Sequence, residues 1–404
     1  MEKDLPKPRT DLEFVPVRDK GRDLIVIRDR FELVPEGLAI APGLYRFLYH
    51  LEKVHDMQEL RQQLAGQAGG RLIAREEVNQ VLADLERSYL LDTANFRSAR
   101  EAFKAEFAAQ TVRPATLAGV SYPAEAAVLG EQLDGLLAGA QGRKAAGGPV
   151  TGLVAPHIDL SVGGKGYAEA YACFPKQGVE RVIVLGIGHH MEQGLFALTE
   201  KDFATVFGLL PADRAAVAGL RHSGGALLAD SDFDHRSEHS IEFQTLFLRH
   251  LQGDRNLQLI PILCGSPWAF LPDFSRQAFL DAAGPLLENL RSLSARDGTL
   301  VLAGVDFSHI GPKFGHEETA TRMESEARQH DSGLLAALCR RDPEAFWRIS
   351  REVRDRYHVC GFSALATLLE ILPPSRGELL HYELWHEQAT RSAVSFAAAV
   401  FSQA

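Results

Sequence analysis

The strongest constraint on the fold is an alternation of short apolar segments with helical stretches after about residue 149. Four segments have the length and the apolar content of buried strands: TGLVAP, RVIVLGIG, LQLIPILCG and TLVLAGVD. Other stretches have helical length and periodicity, namely HSIEFQTLFLRHL, FSRQAFLDAAGPLLENLRSL and the run ending CGFSALATLLEIL. Strands that alternate with helices predict an α/β domain with a largely buried sheet.

The length of 404 residues predicts two domains, because single cores stop growing at about 250 to 300 residues. We assign residues 1–105 to a small first domain and residues 113–404 to the second. In the first, RDLIVIRDRFELV predicts a short strand or hairpin. Three amphipathic stretches follow it: APGLYRFLYHLEKV, DMQELRQQLAGQAGG and REEVNQVLADLERSYLLD.

Charge and cysteine content exclude several classes of function. The formal net charge of -10 argues against a broad nucleic-acid surface, which needs a basic face. The N-terminus MEKDLPKPRTD lacks the apolar core of a signal peptide, and no stretch approaches 18 uninterrupted apolar residues. We therefore expect a soluble, cytoplasmic protein without nucleic-acid or membrane partners. Four cysteines without a CxxC pair indicate neither a disulfide framework nor a zinc knuckle.

Three of the predicted strands are each followed by side chains that can bind a metal or transfer a proton. GLVAPHID places His157 after the first strand, and RVIVLGIGHH places His189 and His190 after the second. TLVLAGVDFSHIG places Asp306 and His309 in the turn after the last. Each residue alone also fits a hydrogen-bonded structural role. Because ligands bind at the carboxyl ends of strands in open α/β sheets, we expect the set to share one pocket.

Two further segments add candidates to this set. In SEHSIEFQTLFLRHL, Ser237 is predicted to cap a helix opened by Glu238. On this helix His239 shares one side with apolar residues, so we expect it to face inward. Glu238 and Glu242 taken singly also fit a favourable charge at a helix N-terminus. Cys360 precedes a glycine and a predicted helix, whose N-terminus lowers the pKa of a thiol and makes it a competent metal ligand. We take the other three cysteines to be buried and inert.

In their order along the chain, these motifs resemble the Memo family, which is similar to the bacterial proteins called AmmeMemoRadiSam system protein B. The resemblance runs from about Arg113 to the C-terminus. VAPHIDLSVGG resembles the family segment APHAGY, VLGIGHH resembles GPSHH, and EHSIEFQ is nearly EHSIEM. VDFSHIG resembles SSDFCHWG, CGFSALATLLE resembles CGRHPI, and VSFAAAVF resembles the final strand. IDL in place of AGY, and FSHIG in place of FCHWG, predict a different pocket lining.

The resemblance implies a fold similar to class III extradiol dioxygenases, with a mixed central sheet flanked by helices. It also implies a metal site of two histidines and a cysteine, which by motif order are His157, His189 and Cys360. We choose His189 over His190 on the same ground. Fe(II) is the metal implied, and a thiolate in place of a carboxylate also suits copper or zinc. Three residues are expected to line the pocket as catalytic candidates: His309, Asp306 and His239.

Two functional hypotheses follow from this resemblance. The first is a metal-dependent redox enzyme, dioxygenase-like, with His309 as acid or base and Asp306 fixing its tautomer. With zinc, His309 would instead serve a metal-activated water in hydrolysis. The second is a non-catalytic metal- or peptide-binding adaptor that works with radical SAM and AMMECR-type proteins. Residues 1–105 resemble the winged-helix unit of PqqD-like peptide-binding domains, although an appended packing or dimerisation domain fits the same pattern.

Overall fold

The computed structural model describes residues 5–35, 37–67, 73–143, 145, 147–253 and 255–403. The chain divides into two compact units, Met1–Ala109 and Gln110–Ala404. Nowhere in the described ranges is a helix both long enough and apolar enough to cross a membrane.

The described residues of the first unit form short strands and four helices. The strands are β1 (Lys7–Pro8), β2 (Glu13–Asp19), β3 (Arg22–Arg28), β4 (Ala39–Ile40) and β5 (Leu91–Asp92). The helices are α1 (Pro42–Lys53), α2 (Met57–Gln67), α3 (Arg75–Arg87) and α4 (Ala94–Ala109). The three predicted amphipathic helices correspond to α1, α2 and α3, although residues 68–70 of the second stretch lie outside the described residues. The winged-helix assignment stays a prediction.

The strand β3 forms a hairpin with the segment before it, whereas the DRFELV segment directly after it is not its hairpin partner. β2 and β3 form an antiparallel hairpin, and β4 pairs with the other edge of β3. Lys20 and Gly21 have φ angles of 47° and 78°, as a two-residue hairpin turn requires. The following DRFELV is a turn, because the Asp29 carboxylate accepts the N–H groups of Phe31 and Val34 at 3.0 Å.

The second unit carries the α/β fold. Its strands are β6 (Val112–Arg113), β7 (Val150–Ala155), β8 (Arg181–Ile187), β9 (Phe196–Leu198), β10 (Asp202–Thr205), β11 (Gly208–Leu210), β12 (Gln258–Cys264), β13 (Thr299–Gly304), β14 (Asp306–Ile310), β15 (Arg376–Glu387) and β16 (Ser392–Ser402). Its helices are α5 (Ala126–Ala138), α6 (Leu160–Ala172), α7 (Arg214–Gly224), α8 (His239–Gln252), α9 (Pro267–Phe270), α10 (Arg276–Ser294), α11 (Ala320–Arg340), α12 (Pro343–Val353) and α13 (Phe362–Ile371).

The main sheet is mixed, with a parallel centre. Its strand order is β14-β16-β7-β13-β8-β12-β9, and β15 pairs with β16. The strands β7, β13, β8 and β12 run parallel to one another, whereas β9 and β16 run antiparallel to their neighbours β12 and β7. The predicted α/β fold with a mixed central sheet flanked by helices is therefore confirmed.

Both faces of the sheet are covered by helices, which explains why the central strands are apolar throughout. In β8, Ile183 and Leu185 pack into one core with α7, α10 and α13. Val182 and Val184 alternate with them and pack into a second core with α5, α6 and α8. Parallel strands buried on both faces have continuous apolar sequences for this reason.

The sequence DFSHI is itself a strand, which corrects the prediction that Asp306 and His309 lie in a turn. The long strand β16 pairs through residues 399–402 with β7 and through residues 393–396 with β14. The chain leaves β13 at Gly304 and continues as β14 beside β16, beyond the end of β7. Pairing with β16 therefore satisfies the backbone of a segment that looks like a loop in the sequence.

A buried ion pair holds the first residues of this unit against α8. The side chains of Arg113 and Glu242 form a salt bridge and are 0% and 1% exposed. Glu242 also accepts hydrogen bonds from the Tyr122 hydroxyl at 2.5 Å and from the Leu117 amide at 2.9 Å. Glu242 thus has a specific partner, beyond the favourable charge that its place near a helix N-terminus suggested.

We predict that Arg113→Met lowers the free energy of unfolding by about 3–5 kcal/mol, because it leaves the Glu242 carboxylate buried without a cation. The control is Arg214→Met, which removes a pair with Asp202 whose arginine is 55% exposed. That change should cost at most about 1 kcal/mol. Urea denaturation measures both, and equal losses would contradict the assignment.

Candidate metal centre

The carboxyl ends of the parallel strands meet at one cavity. His157 follows β7, His189 follows β8, and Asp306 follows β13, each by two residues. Cys360 precedes α13. The cavity has a volume of about 720 Å³, and its described lining includes six of the candidate residues but not His190: His157, His189, His239, Asp306, His309 and Cys360.

Two imidazoles and one sulfur converge within this cavity. The ligand atoms of His157, His189 and Cys360 all lie within 4.8 Å of one another. Cys360 Sγ lies 3.5 Å from His157 Nε2. A tetrahedral ion with ordinary metal–nitrogen and metal–sulfur bonds separates two such atoms by ~3.6 Å. The donors therefore have a spacing that an ion would fit, and the group includes His189 and not the neighbouring His190.

Hydrogen bonds orient both imidazole rings. His157 Nδ1 lies 3.0 Å from the carbonyl oxygen of Gly304. Since a carbonyl only accepts, Nδ1 carries the proton and Nε2 presents its lone pair to the cavity. His189 Nδ1 lies 3.1 Å from the carboxylate of Glu238. Partners of this kind orient histidine ligands in metal sites and raise their basicity.

Glu238 joins two histidines and the start of α8. Its carboxylate accepts the N–H of Ser240 at 3.0 Å and that of His189 at 3.2 Å. It also lies 3.2 Å from His239 Nδ1. Glu238 is therefore the N-cap of α8, and the prediction that Ser237 caps this helix is wrong. The longer side chain of Glu238 reaches the free N–H groups of the first turn while it holds both rings.

The three histidines differ in their electrostatic surroundings. Their ring centroids lie 4.7–5.0 Å apart. Burial lowers the pKa of His157 well below its usual value, and burial lowers the pKa of His239 to about 4. Burial also acts to lower the pKa of His189, but the Glu238 carboxylate and Cys360 together outweigh it and raise that pKa well above its ordinary value.

The thiol of Cys360 has a raised pKa, contrary to the prediction from its place before a helix. Burial raises the pKa of Cys360, and this outweighs the opposing effect of His189. Its Sγ also lies 3.5 Å from the carbonyl oxygen of Asp306. A cation that binds this sulfur would have to displace its proton, as metal binding to thiols does in general.

Asp306 supports His157, not His309. Its Oδ1 accepts the His157 N–H at 3.0 Å, and its Oδ2 lies 3.6 Å from His157 Nε2. Burial raises the pKa of Asp306 to about 7. His309 Nδ1 donates to the carbonyl of Phe307 at 2.9 Å. The prediction that Asp306 fixes the tautomer of His309 is therefore wrong, because a backbone carbonyl occupies that position.

The His309 ring is favoured in its neutral form and hydrogen-bonds to the backbone at two residues. Burial lowers the pKa of His309 to about 4. Its Nδ1 proton is directed at the carbonyl of Phe307, and the backbone of His358 supplies the second hydrogen bond. A neutral imidazole that lines a cavity can accept a proton from a bound molecule.

An aromatic wall of the cavity was missed by the sequence reasoning. Trp268 is 41% exposed, lines the cavity and stacks on Phe274 at a centroid distance of 3.8 Å. Phe314 also lines the cavity, 4.9 Å from the ring of His309. The available signal was the position of SPWAF just after Cys264, the last residue of β12. The end of this fourth parallel strand supplies an apolar surface rather than a metal donor.

Comparisons with known proteins find similarity to members of one family. The family described as Memo-like protein matches residues 113–400. A MEMO1 family protein of Aquifex aeolicus is 27% identical over 399 residues, which cover 98% of this chain and 100% of that protein. A MEMO1 family protein of Thermus thermophilus is 29% identical, with 80% of this chain and 93% of that protein covered. A protein memo-1 homolog of Caenorhabditis elegans is 27% identical over 64% and 70% of the two chains.

The family match spans most of the second unit, including every residue of the candidate metal centre. The Aquifex relative extends the similarity through most of the first unit as well. The resemblance inferred from the ordered motifs is thus confirmed at the level of the family. This chain belongs to the Memo-like protein family.

Proposed function

We propose that this chain is a metal-dependent redox enzyme with dioxygenase-like chemistry, which acts on a small molecule or a peptide. His157, His189 and Cys360 would hold the ion. The observation that carries the proposal is the convergence of their ligand atoms, within 4.8 Å, from three segments distant in sequence. An open cavity of about 720 Å³ beside them leaves room for a substrate.

The donor set bears on the choice of ion. Three protein ligands leave coordination positions open, as a catalytic site needs. A bound ferrous ion would supply redox chemistry with dioxygen, and Fe(II) is the ion that we propose first. The sulfur of Cys360 is a softer donor than a carboxylate, so copper and zinc are the alternatives to test.

The remaining cavity residues have roles that follow from their contacts. Neutral His309 would accept a proton from the substrate through Nε2, because Nδ1 is bonded to Phe307, and the ring would have to give up its hydrogen bond to the His358 backbone to do so. His239 stacks on His189 at 4.7 Å and would limit the approach of water from that side. Trp268 and Phe314 would contact the apolar part of a substrate.

We predict that His157→Ala, His189→Ala and Cys360→Ser each lower the bound metal at least about tenfold, because each removes one of three donors. Elemental analysis of protein purified without a metal-binding tag measures the occupancy. Three serine variants of cysteines outside the cluster are the controls and should retain the metal: Cys173→Ser, Cys264→Ser and Cys339→Ser. Equal occupancy in all six variants would remove the assignment.

Oxygen consumption tests the catalytic part of the proposal. Protein loaded anaerobically with Fe(II) should consume oxygen with catechol-like compounds, and His309→Ala should reduce the rate about 10²-fold or more through loss of the proton acceptor. His250→Ala is the matched control, since His250 lies near the other end of α8 and bonds to Asp134 at 2.7 Å. No turnover, or equal rates in both variants, would count against an enzyme.

A second candidate function is a non-catalytic adaptor that binds radical SAM and AMMECR-type proteins. An apolar surface on the first unit favours it. Tyr45 and Tyr49, four residues apart on α1, are 37% and 49% exposed, and Tyr45 lies edge-to-face with Phe14 of β2 at 5.2 Å. Pro16 in β2 has no N–H to offer an added strand, so side chains rather than strand pairing would bind a partner.

For the adaptor, we predict that purified radical SAM or AMMECR-type partners bind the full chain and that the double variant Tyr45→Ala and Tyr49→Ala weakens binding at least about tenfold. Deletion of residues 1–105 should abolish it. Leu209→Ala, which truncates an equally exposed apolar residue of the second unit, is the control. Unchanged binding in the tyrosine variant, or no binding by the full chain, would rule out this surface.

A further inference from the structure

A buried carboxylate behind the cavity wall joins three strands. Asp331 on α11 has a side chain that is 0% exposed. It accepts hydrogen bonds from the hydroxyls of Ser308 and Ser395 at 2.6 Å and from the Tyr382 hydroxyl at 2.8 Å. These donors belong to β14, β16 and β15. Burying a carboxylate costs free energy that an apolar side chain would not, so this position calls for a specific explanation.

The strand that this carboxylate contacts contains an irregularity. Asp306 pairs with Phe396 and His309 pairs with Val394, so three steps along β14 match two steps along β16. In a regular strand, residues three apart point to opposite faces of the sheet. The extra residue of a β-bulge changes this alternation, and here both Asp306 and His309 line the cavity.

Ser308 lies inside the bulge and is held from the side of α11. Its N–H donates to Ser395 Oγ at 2.8 Å, and its hydroxyl donates to Asp331. Ser395 in turn donates to Asp331. A bulge leaves part of the strand ladder disrupted, and the two hydroxyls and the carboxylate supply the missing contacts in a fixed arrangement.

We propose that Asp331 is a positioning residue that fixes the bulge of β14 and thereby sets the geometry of the metal centre. It is not one of the described residues that line the cavity, and it acts through Ser308 and Ser395. This inference rests on the proposed metal site.

The bulge also supports two of the three donors directly. The carbonyl of Asp306 accepts the N–H of Gly361 at 3.1 Å and lies 3.5 Å from Cys360 Sγ. The carboxylate of Asp306 accepts the N–H of His157 at 3.0 Å. A shift of β14 would therefore move the supports of His157 and Cys360 together, and with them the ion.

The test is a titration of the purified full chain with Co²⁺ alone, followed through the cobalt absorption bands that report ligand geometry. Asp331→Ala should weaken Co²⁺ binding about tenfold or more and shift those bands, as loss of an outer hydrogen-bond partner does in metal sites. Asp331→Asn should restore part of the affinity, because its amide oxygen still accepts at one of the two carboxylate positions, whereas its amide nitrogen cannot accept at the other.

The control separates positioning from simple loss of stability. Asp213 is also a buried carboxylate, bonded to Arg181 at 2.6 Å and to the first turn of α7, at the amino ends of the strands. Asp213→Ala should lower the unfolding midpoint and leave the Co²⁺ affinity and spectrum unchanged. If Asp331→Ala does not fold, Ser308→Ala takes its place, with the same loss of Co²⁺ affinity expected.

Two outcomes are distinguished. Failure of the wild-type chain to bind Co²⁺ would count against the metal site, and crystal structures of Asp331→Ala or Ser308→Ala would then test the positioning role alone. Loss of the register between His309 and Val394 would support that role. A wild-type register, or an unchanged Co²⁺ affinity and spectrum in a wild type that binds the ion, would overturn it.

Discussion

The candidate site depends on one strand, β16, whose edge pairs with both β7 and β14. Because β7 stops at Ala155, the next part of that edge is free for β14, and Asp306 comes to lie beside His157. Where the chain passes from β13 to β14, the carbonyl oxygen of Asp306 lies 3.5 Å from Cys360 Sγ. One pairing thus brings together residues that are about 150 and 200 positions apart in the chain.

Each buried charged or polar group around the cavity has hydrogen-bond or ion-pair partners that offset the free-energy cost of its burial. Glu238 is 5% exposed, but it binds His189, His239 and the first turn of α8. Burial favours the neutral forms of His157 and His309, and each ring donates its Nδ1 proton to a backbone carbonyl. Buried groups are tolerated when they are paired in this way. The result is a set of oriented donors that would suit an ion with open coordination positions.

Two buried carboxylates outside the cavity lining are also fully hydrogen-bonded. Glu242 binds Arg113 and holds the segment that carries Leu117, a residue of the cavity wall. Asp331 binds hydroxyls of three strands behind β14. Both carboxylates face away from the donors, yet each holds an element on which a cavity residue sits. Residues that shape this site are therefore found in two layers, one that lines the cavity and one that holds the lining in place.

The amino-acid sequence alone predicted the α/β class, four strands of the central sheet and six of the residues that line the cavity, since apolar periodicity and ordered motifs are local properties. His157, His189 and Cys360 were identified in this way. The tertiary structure decided the rest. DFSHI became a strand because β16 was available to pair with it, and Glu238 rather than Ser237 capped α8 because two rings lie beside it. The pKa of Cys360 rose because burial, which no local pattern reveals, outweighed the start of a helix.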